Sequence, residues 1–220
     1  MNDSRDNKSS LDTRVHHAST RSFVLPRTPL QPTVPHPRDI IHWYPMYVSY
    51  RRELSVKKAL DAKEIENYIP MREVVERQRK KIVTRLEPAI HNLIFINSTM
   101  NIISSLKMYN AECTPLQYMI SRARNDDQPS TVITVEDAKM RQFIKAMEIE
   151  DVGNRRQFVP YDQLLFGKEG RRIRFVRGTF EGIEGTIKRI NNNRSLLIIL
   201  KEIGALVITI DHASDIEFLD

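Results

Sequence analysis

The sequence predicts an α+β protein in two parts, a mixed region of strands and helices followed by a small β-barrel. All seven glycines lie at or after Gly153, so only the second part carries the residue that tight turns favour. Five of the eleven prolines fall between Pro26 and Pro37, within a polar stretch that has no periodicity. We therefore expect a disordered tail (1–38), a first domain (39–150), a linker (151–166) and a barrel (167–220).

Composition excludes several classes of protein. The net charge of +6 and the pI of about 9.5 favour polyanionic partners. The single cysteine, Cys113, cannot form an internal disulfide, which excludes a disulfide-stabilised scaffold and suits a reducing cytoplasm. No apolar run approaches the roughly 18 residues of a membrane span, and the N-terminus lacks the apolar core of a signal peptide. We expect a cytoplasmic monomer that does not contact a membrane.

The first domain is predicted to alternate strands with helices. Ile40–Tyr50 predicts a strand, although Pro45 must precede it or face a sheet edge. Leu93–Ile96 is a continuous apolar run, typical of a central strand. Apolar spacings of three and four predict a helix over Glu53–Lys63 and a second over 101–109. Further strands are predicted at 68–75, 81–86 and 116–121.

A third helix closes the first domain. Thr134 and Asp137 frame a capping-box pattern, and the helix is predicted over 135–147. Its apolar stripe is most simply core packing against a sheet. Five short strands with glycine or asparagine turns then predict the closed barrel. These strands are Arg172–Arg177, Glu184–Ile190, Leu196–Lys201, Ala205–Ile210 and Ile216–Leu219.

No pattern in the chain indicates catalysis. There is no phosphate-binding glycine loop, and the histidines lack the spacing of metal ligands. We predict no catalytic residue, no cofactor and no metal. The enzymatic alternative is that Cys113 acts as a nucleophile with His91. The competing interpretation is that Cys113 is a small hydrophobic residue, as a lone cysteine beside an apolar segment usually is. Full activity of a Cys113→Ser variant would dismiss the alternative.

Basic residues gather in a predicted hairpin. The segment from Arg72 to Arg85 contains six basic residues and two acidic ones. Such a hairpin could follow a nucleic-acid backbone, or it could be a solvated tip, and the sequence does not separate the two. The candidate nucleic-acid-binding residues are Arg72, Arg77, Arg79, Lys80, Lys81 and Arg85. A second arginine cluster, at 171–177, borders the predicted barrel, and its alternating pair Arg172 and Arg174 is expected to face solvent along a strand.

Several segments resemble the NusG family. The run Trp43–Tyr47, the helix from Glu53 and the segment Tyr68-Ile69-Pro70 resemble the opening of the NusG N-terminal domain, and the 135–147 helix matches its closing helix. Downstream, the segment 174–190 resembles a KOW motif. Its turn residues are Gly178, Phe180, Gly182 and Gly185. The resemblance covers about residues 40–220 and implies an antiparallel sheet flanked by helices, followed by an SH3-like barrel.

The resemblance implies a transcription elongation or antitermination factor rather than an enzyme. The first domain would bind the clamp helices of the largest RNA polymerase subunit, near non-template DNA or nascent RNA. The KOW barrel would recruit a ribosomal protein or the termination factor Rho. By position, the implied polymerase-binding residues are Tyr47, Ile90, Leu93 and Phe95, with Ser104 and Ser105 toward the opposite jaw of the cleft. The alternative is that these apolar residues are ordinary core, and that Phe180 is core if it is buried.

The chain also departs from the housekeeping NusG pattern. Where the family has a Phe-Pro-Gly-Tyr-like segment, this chain has Ile90-His91-Asn92-Leu93, and the N-terminal tail is unmatched. These features resemble a specialised, UpxY-like paralogue of the Bacteroides type, which would act on a polysaccharide-synthesis operon. The competing hypothesis is a ribosome-associated or general RNA-binding protein acting through the KOW barrel, which salt-sensitive binding to ribosomal RNA would favour.

Overall fold

The structure is a computed structural model that describes residues 36–78, 81–121, 129–150, 155–163, 170–190, 192–200 and 202–219. Residues 1–35 of the predicted tail lie outside the described residues. The first part of the chain contains both helices and strands, as the sequence predicts, but the predicted strands 68–75 and 116–121 are each divided into two. In order they are β1 (His42–Val48), α1 (Glu53–Asp61), β2 (Asn67–Tyr68), β3 (Met71–Gln78), β4 (Lys81–Pro88), β5 (Leu93–Ser98), α2 (Met100–Tyr109), β6 (Leu116–Tyr118), β7 (Ile120–Ser121), β8 (Thr131–Val132) and α3 (Asp137–Glu148).

Four of these strands form an antiparallel sheet in the order β2-β5-β1-β6. Among the described residues, β3 and β4 pair only with each other, in a long hairpin, and β7 pairs with β8. The first part is therefore α+β with antiparallel sheets, as predicted. The central position of β5 agrees with its continuous apolar sequence.

The two faces of the four-stranded sheet enter different cores. Tyr44 and Ile94 point to one face, where α1 and α2 cover them. Trp43 and Phe95 point to the other face, where they meet Phe143 of α3. Because successive side chains of a strand alternate in direction, the apolar runs of β1 and β5 supply both cores at once.

Pro45 lies inside β1 without breaking it. The strand begins at His42, and Pro45 lies opposite Phe95 of β5. On the other side of β1, pairing with β6 begins only at Met46. Proline lacks an N–H and cannot donate to a ladder. Of the two alternatives that the sequence offers, the structure therefore adopts the one in which Pro45 faces a locally unpaired edge.

Helix α3 begins two residues later than the capping pattern predicts. The Val135 N–H donates to the Trp43 carbonyl over 2.9 Å, which keeps the chain extended through Val135. Glu136 then occupies the N-cap position without a side-chain cap. A tertiary hydrogen bond to the sheet has thus overridden the local signal of Thr134. The predicted apolar stripe is buried, as Met140 and Phe143 show.

The second part of the chain forms a six-stranded antiparallel sheet. Its strands are β9 (Arg156–Pro160), β10 (Arg172–Phe175), β11 (Glu184–Ile190), β12 (Asn193–Leu200), β13 (Gly204–Thr209) and β14 (Ile216–Leu219), in the order β14-β10-β11-β12-β13-β9. The five predicted strands are present with small shifts of their ends. Strand β9 lies inside the predicted linker and pairs with β13. The SH3-like barrel itself stays a prediction.

Helix α3 contacts the second sheet as well as the first. The ring centroids of Phe143 and Phe158 are 6.3 Å apart. Arg156 donates through Nη1 to the carbonyls of Ala146 and Ile149, over 2.6 and 2.7 Å, at the C-terminal end of α3. One apolar cluster therefore runs from the first sheet through α3 into the second. The division into separate domains at 39–150 and 167–220 stays a prediction.

Candidate functional site

Three of the implied polymerase-binding residues share one sheet face. Tyr47 of β1 lies directly opposite Leu93 of β5, and Phe95 follows two residues later on the same face. Tyr47 is 44% exposed, whereas Leu93 and Phe95 are 4% and 0% exposed. The face is thus open at the Tyr47 end and closed at the Phe95 end.

Helix α3 closes that face. The rings of Phe95 and Phe143 have centroids 5.8 Å apart. Ile90, in the turn between β4 and β5, is half-buried against the same apolar cluster. Of the four apolar and aromatic candidates, Tyr47 is therefore the one whose ring meets solvent. Their binding role stays a prediction.

A turn with positive φ angles follows β1, close to Tyr47 in the chain. Tyr50 and Arg51 both adopt positive φ, at 63° and 53°, and Asn92 does so at 62°. The Asn92 N–H donates to the buried carboxylate of Glu53, and the Asn92 side chain accepts from the Arg51 N–H over 3.2 Å. Non-glycine residues at positive φ persist only where their surroundings fix them. The turn also presents Tyr50, an exposed aromatic residue that no periodicity in the sequence indicates.

Ser104 and Ser105 lie on the other side of the molecule's first sheet. Both are exposed on α2, which packs against the opposite face from Tyr47. The Ser104 hydroxyl is 3.5 Å from the Tyr118 hydroxyl. The structure therefore does not bring the two serines together with Tyr47; it places them in opposite layers.

The basic hairpin carries its charge unevenly. Arg85 bridges Glu87 at 2.5 Å and Glu76 at 3.7 Å, so its charge is largely balanced within the hairpin. Arg72 is exposed on β3. Arg79 and Lys80 lie outside the described residues, and Arg77 and Lys81 are described only through their strands. Nucleic-acid binding by the six basic residues stays a prediction.

The predicted KOW turn connects β10 to β11. Gly178 and Gly182 have φ of 84° and 78°, which glycine adopts without strain. At Gly185, an added Cβ would lie 2.4 Å from the Leu197 carbonyl oxygen. The close approach of the neighbouring strand therefore requires glycine at this position. Phe180 is buried, with its ring centroid 6.0 Å from that of Phe175. Of its two alternatives, Phe180 therefore belongs to the core.

The arginine cluster beside this turn is paired with acids. Arg174 bonds to Glu184 and Glu217, at 2.5 and 3.0 Å, and Arg172 reaches Glu184 at 3.1 Å. The side chains do line a strand surface, as the sequence analysis expected. Because two carboxylates balance their charge, this surface offers less attraction to phosphate than the arginine count suggests.

Cys113 has the surroundings of an apolar residue. It is buried among the core residues below α2, and burial raises the pKa of its thiol. A raised pKa lowers the fraction of thiolate, which is the nucleophilic form. In the described ranges, no cluster of three or more His, Cys, Asp or Glu is arranged to hold a metal.

The first sheet and its three helices are the part of the chain that a known family matches. Residues 41–144 match the NusG family model, described as transcription termination factor nusG. The match begins just before β1 and ends within α3. This part of the chain is therefore similar to the NusG family of transcription termination factors.

The match stops short of the second sheet, so the KOW assignment rests on the residues quoted above. No curated protein matches the chain. Among the residues that the structure describes, no helix is both long and apolar enough to cross a membrane.

Proposed function

We propose that this protein is an elongation and antitermination factor that binds the clamp helices of RNA polymerase through the Tyr47 end of its first sheet. The observation that carries the proposal is the NusG match over residues 41–144, the same residues that form this sheet and its flanking helices. Tyr47 supports it as an anchor, because a half-exposed tyrosine offers both an apolar ring and a hydroxyl to a partner.

The opposite placement of Ser104 and Ser105 supports a bridging role. A factor that spans the polymerase cleft must present contacts on two sides. Tyr47 and the α2 serines lie on opposite sides of the four-stranded sheet, and each is exposed on its own side. We therefore assign the Tyr47 side to the clamp and the α2 side to the opposing jaw.

The second sheet is proposed to act as a KOW domain that recruits a further factor, such as a ribosomal protein or Rho. The departures at 90–93 and the unmatched tail support a specialised, UpxY-like paralogue that serves one operon, such as one for polysaccharide synthesis. Basic hairpin residues, Arg72 among them, would lie near non-template DNA or nascent RNA.

The test uses the full chain and purified RNA polymerase. We expect Tyr47→Ala to weaken polymerase binding more than tenfold, because truncating a central aromatic anchor costs about 2 kcal/mol or more. Phe218→Ala is the matched control, since Phe218 is also a half-exposed aromatic residue but lies on β14 of the second sheet. Binding is measured by biolayer interferometry.

Circular dichroism and the thermal midpoint establish whether each variant is folded. If Tyr47→Ala and Phe218→Ala bind polymerase equally, the clamp assignment is wrong. If the unaltered chain binds ribosomal RNA but not polymerase, the RNA-binding hypothesis replaces the proposal.

A further inference from the structure

Glu53 is a buried acid without a cation beside it. It is the first residue of α1 and is only 2% exposed. Among the residues that the structure describes, no lysine, arginine or histidine forms an ion pair with its side chain. Burying an acid costs free energy, and a well-packed apolar residue often gives a fold at least as stable. Stability alone therefore does not account for an acid at this position.

The Glu53 carboxylate accepts a hydrogen bond from a backbone amide in another segment of the chain. The donor is the N–H of Asn92, in the turn between β4 and β5. A hydrogen bond to a charged acceptor is stronger than one between neutral groups. Asn92 has a φ of 62°, which asparagine tolerates better than most residues but which its surroundings must still fix. Glu53 thus fixes the Asn92 turn against the beginning of α1.

Asn92 bonds in turn to the part of the chain that follows Tyr47. Its carbonyl accepts the Val48 N–H over 2.9 Å, and its side-chain oxygen accepts the Arg51 N–H over 3.2 Å. Because Tyr47 lies opposite Leu93, the Val48 bond lies one residue beyond the Tyr47–Leu93 pair. The ladder between β1 and β5 is therefore extended past Tyr47, and Asn92 is the residue that extends it.

This restraint bears on Tyr47 as a binding anchor. The Tyr47 side chain is 44% exposed, so packing within the protein fixes it only in part. A side chain whose backbone is already held in the bound position loses less conformational entropy when a partner binds. A buried acid that keeps the end of β1 in register can therefore raise affinity even where it adds nothing to stability.

We propose that Glu53 is a positioning residue for partner binding by Tyr47, and that it acts through its bond to the Asn92 N–H. The inference rests on the proposed contact between Tyr47 and the polymerase clamp. Glu53 is buried, so it does not itself touch the partner. It keeps the backbone of β1 where the Tyr47 ring meets the partner.

A double-mutant cycle on the full chain tests the inference. Affinity for purified RNA polymerase is measured for Glu53→Ala, Tyr47→Ala and the double variant, at a temperature where all three are folded. We expect Glu53→Ala to weaken binding about tenfold, but by less than about twofold when residue 47 is already alanine. Glu53→Gln keeps an oxygen that can accept the Asn92 N–H, and it should bind within about threefold of the unaltered chain.

Two further variants separate positioning from a loss of stability. Val207→Ala removes buried methyl groups from a separate apolar cluster in the second sheet, and its affinity should stay within about twofold of the unaltered chain. Asn92→Gly allows the positive φ but removes the acceptor of the Arg51 N–H, and it should weaken binding about threefold. Thermal unfolding checks each variant, and Asn92→Gly takes the place of Glu53→Ala in the cycle if that variant does not fold.

The inference is overturned if Glu53→Ala binds polymerase as tightly as the unaltered chain, or if its effect is undiminished beside Tyr47→Ala. It is also overturned if Val207→Ala weakens binding as much, or if Glu53→Gln binds as weakly as Glu53→Ala. Each of these results leaves the clamp proposal standing as long as Tyr47→Ala alone weakens binding. If Tyr47→Ala alone has no effect, the clamp proposal fails, and the role of Glu53 fails with it.

Discussion

The Trp43 side chain connects β1 to α3. Its indole Nε1 donates to Asp137 of α3 over 2.9 Å, and the Arg141 guanidinium lies over its ring at 5.4 Å. Arg141 also bonds to Glu66, just before β2. The sequence predicts a strand at Trp43 but not these partners, because hydrogen bonds between residues far apart in sequence leave no periodic signal.

Glu66 is expected to stabilise the fold in a pH-dependent way. Its hydrogen bond with Arg141 lowers the pKa of the Glu66 carboxyl below the ordinary 4.5. A carboxyl whose pKa is lower in the folded state stabilises the fold above its unfolded pKa, and that stability is lost as pH falls through the folded pKa. We therefore expect Glu66→Gln to lower the free energy of unfolding at pH 7. Below pH 4.5 the difference in unfolding free energy between the variant and the unaltered protein should become smaller.

Urea unfolding at pH 7 and pH 3 measures both free energies. Glu181→Gln, in the exposed turn after β10, is the control for removing one carboxyl. A gap that stays constant with pH would contradict the assigned role of the Arg141 contact.

Elements differ in how well the sequence predicts them. Strand β5 and helix α3 follow from continuous or periodic apolar residues, which depend on local spacing alone. Strand β9 was missed because its five residues show no alternation, and it is defined instead by its pairing with β13. The candidate site divides in the same way. The shared face of Leu93 and Phe95 follows from their spacing, but their burial depends on α3, far along the chain.

The C-terminal end of α3 gives a prediction at the scale of elements. Arg156 of β9 donates to the Ala146 and Ile149 carbonyls, which would otherwise be unpaired at a helix end. We expect Arg156→Met to destabilise the fold by about 2 kcal/mol, because charged hydrogen bonds and a cation at a helix C-terminus are both lost. Chemical denaturation measures the change. Arg189→Met, at an exposed site on β11, should change stability by less than about 0.5 kcal/mol.

At the scale of the whole molecule, the two sheets share α3. Residues Phe95, Phe143 and Phe158 connect the first sheet to the second through ring contacts. The glycine distribution predicted a boundary near Gly153, and the sequence contains no local signal for contacts across it. Cleavage of the peptide chain near Gly153 would not by itself remove the apolar contacts that hold the two parts together.

The last prediction follows from that shared surface. With a protease site inserted at 151–154 and cleaved, the two fragments of the full chain should still co-elute in size-exclusion chromatography at micromolar concentration. Phe158→Ala should weaken their association by about 2 kcal/mol, or roughly 30-fold, because it removes a half-buried ring beside Phe143. Phe218→Ala, on the far edge strand β14, is the matched control. Fragments that separate at once in the unaltered sequence would instead show that the two parts are independent domains.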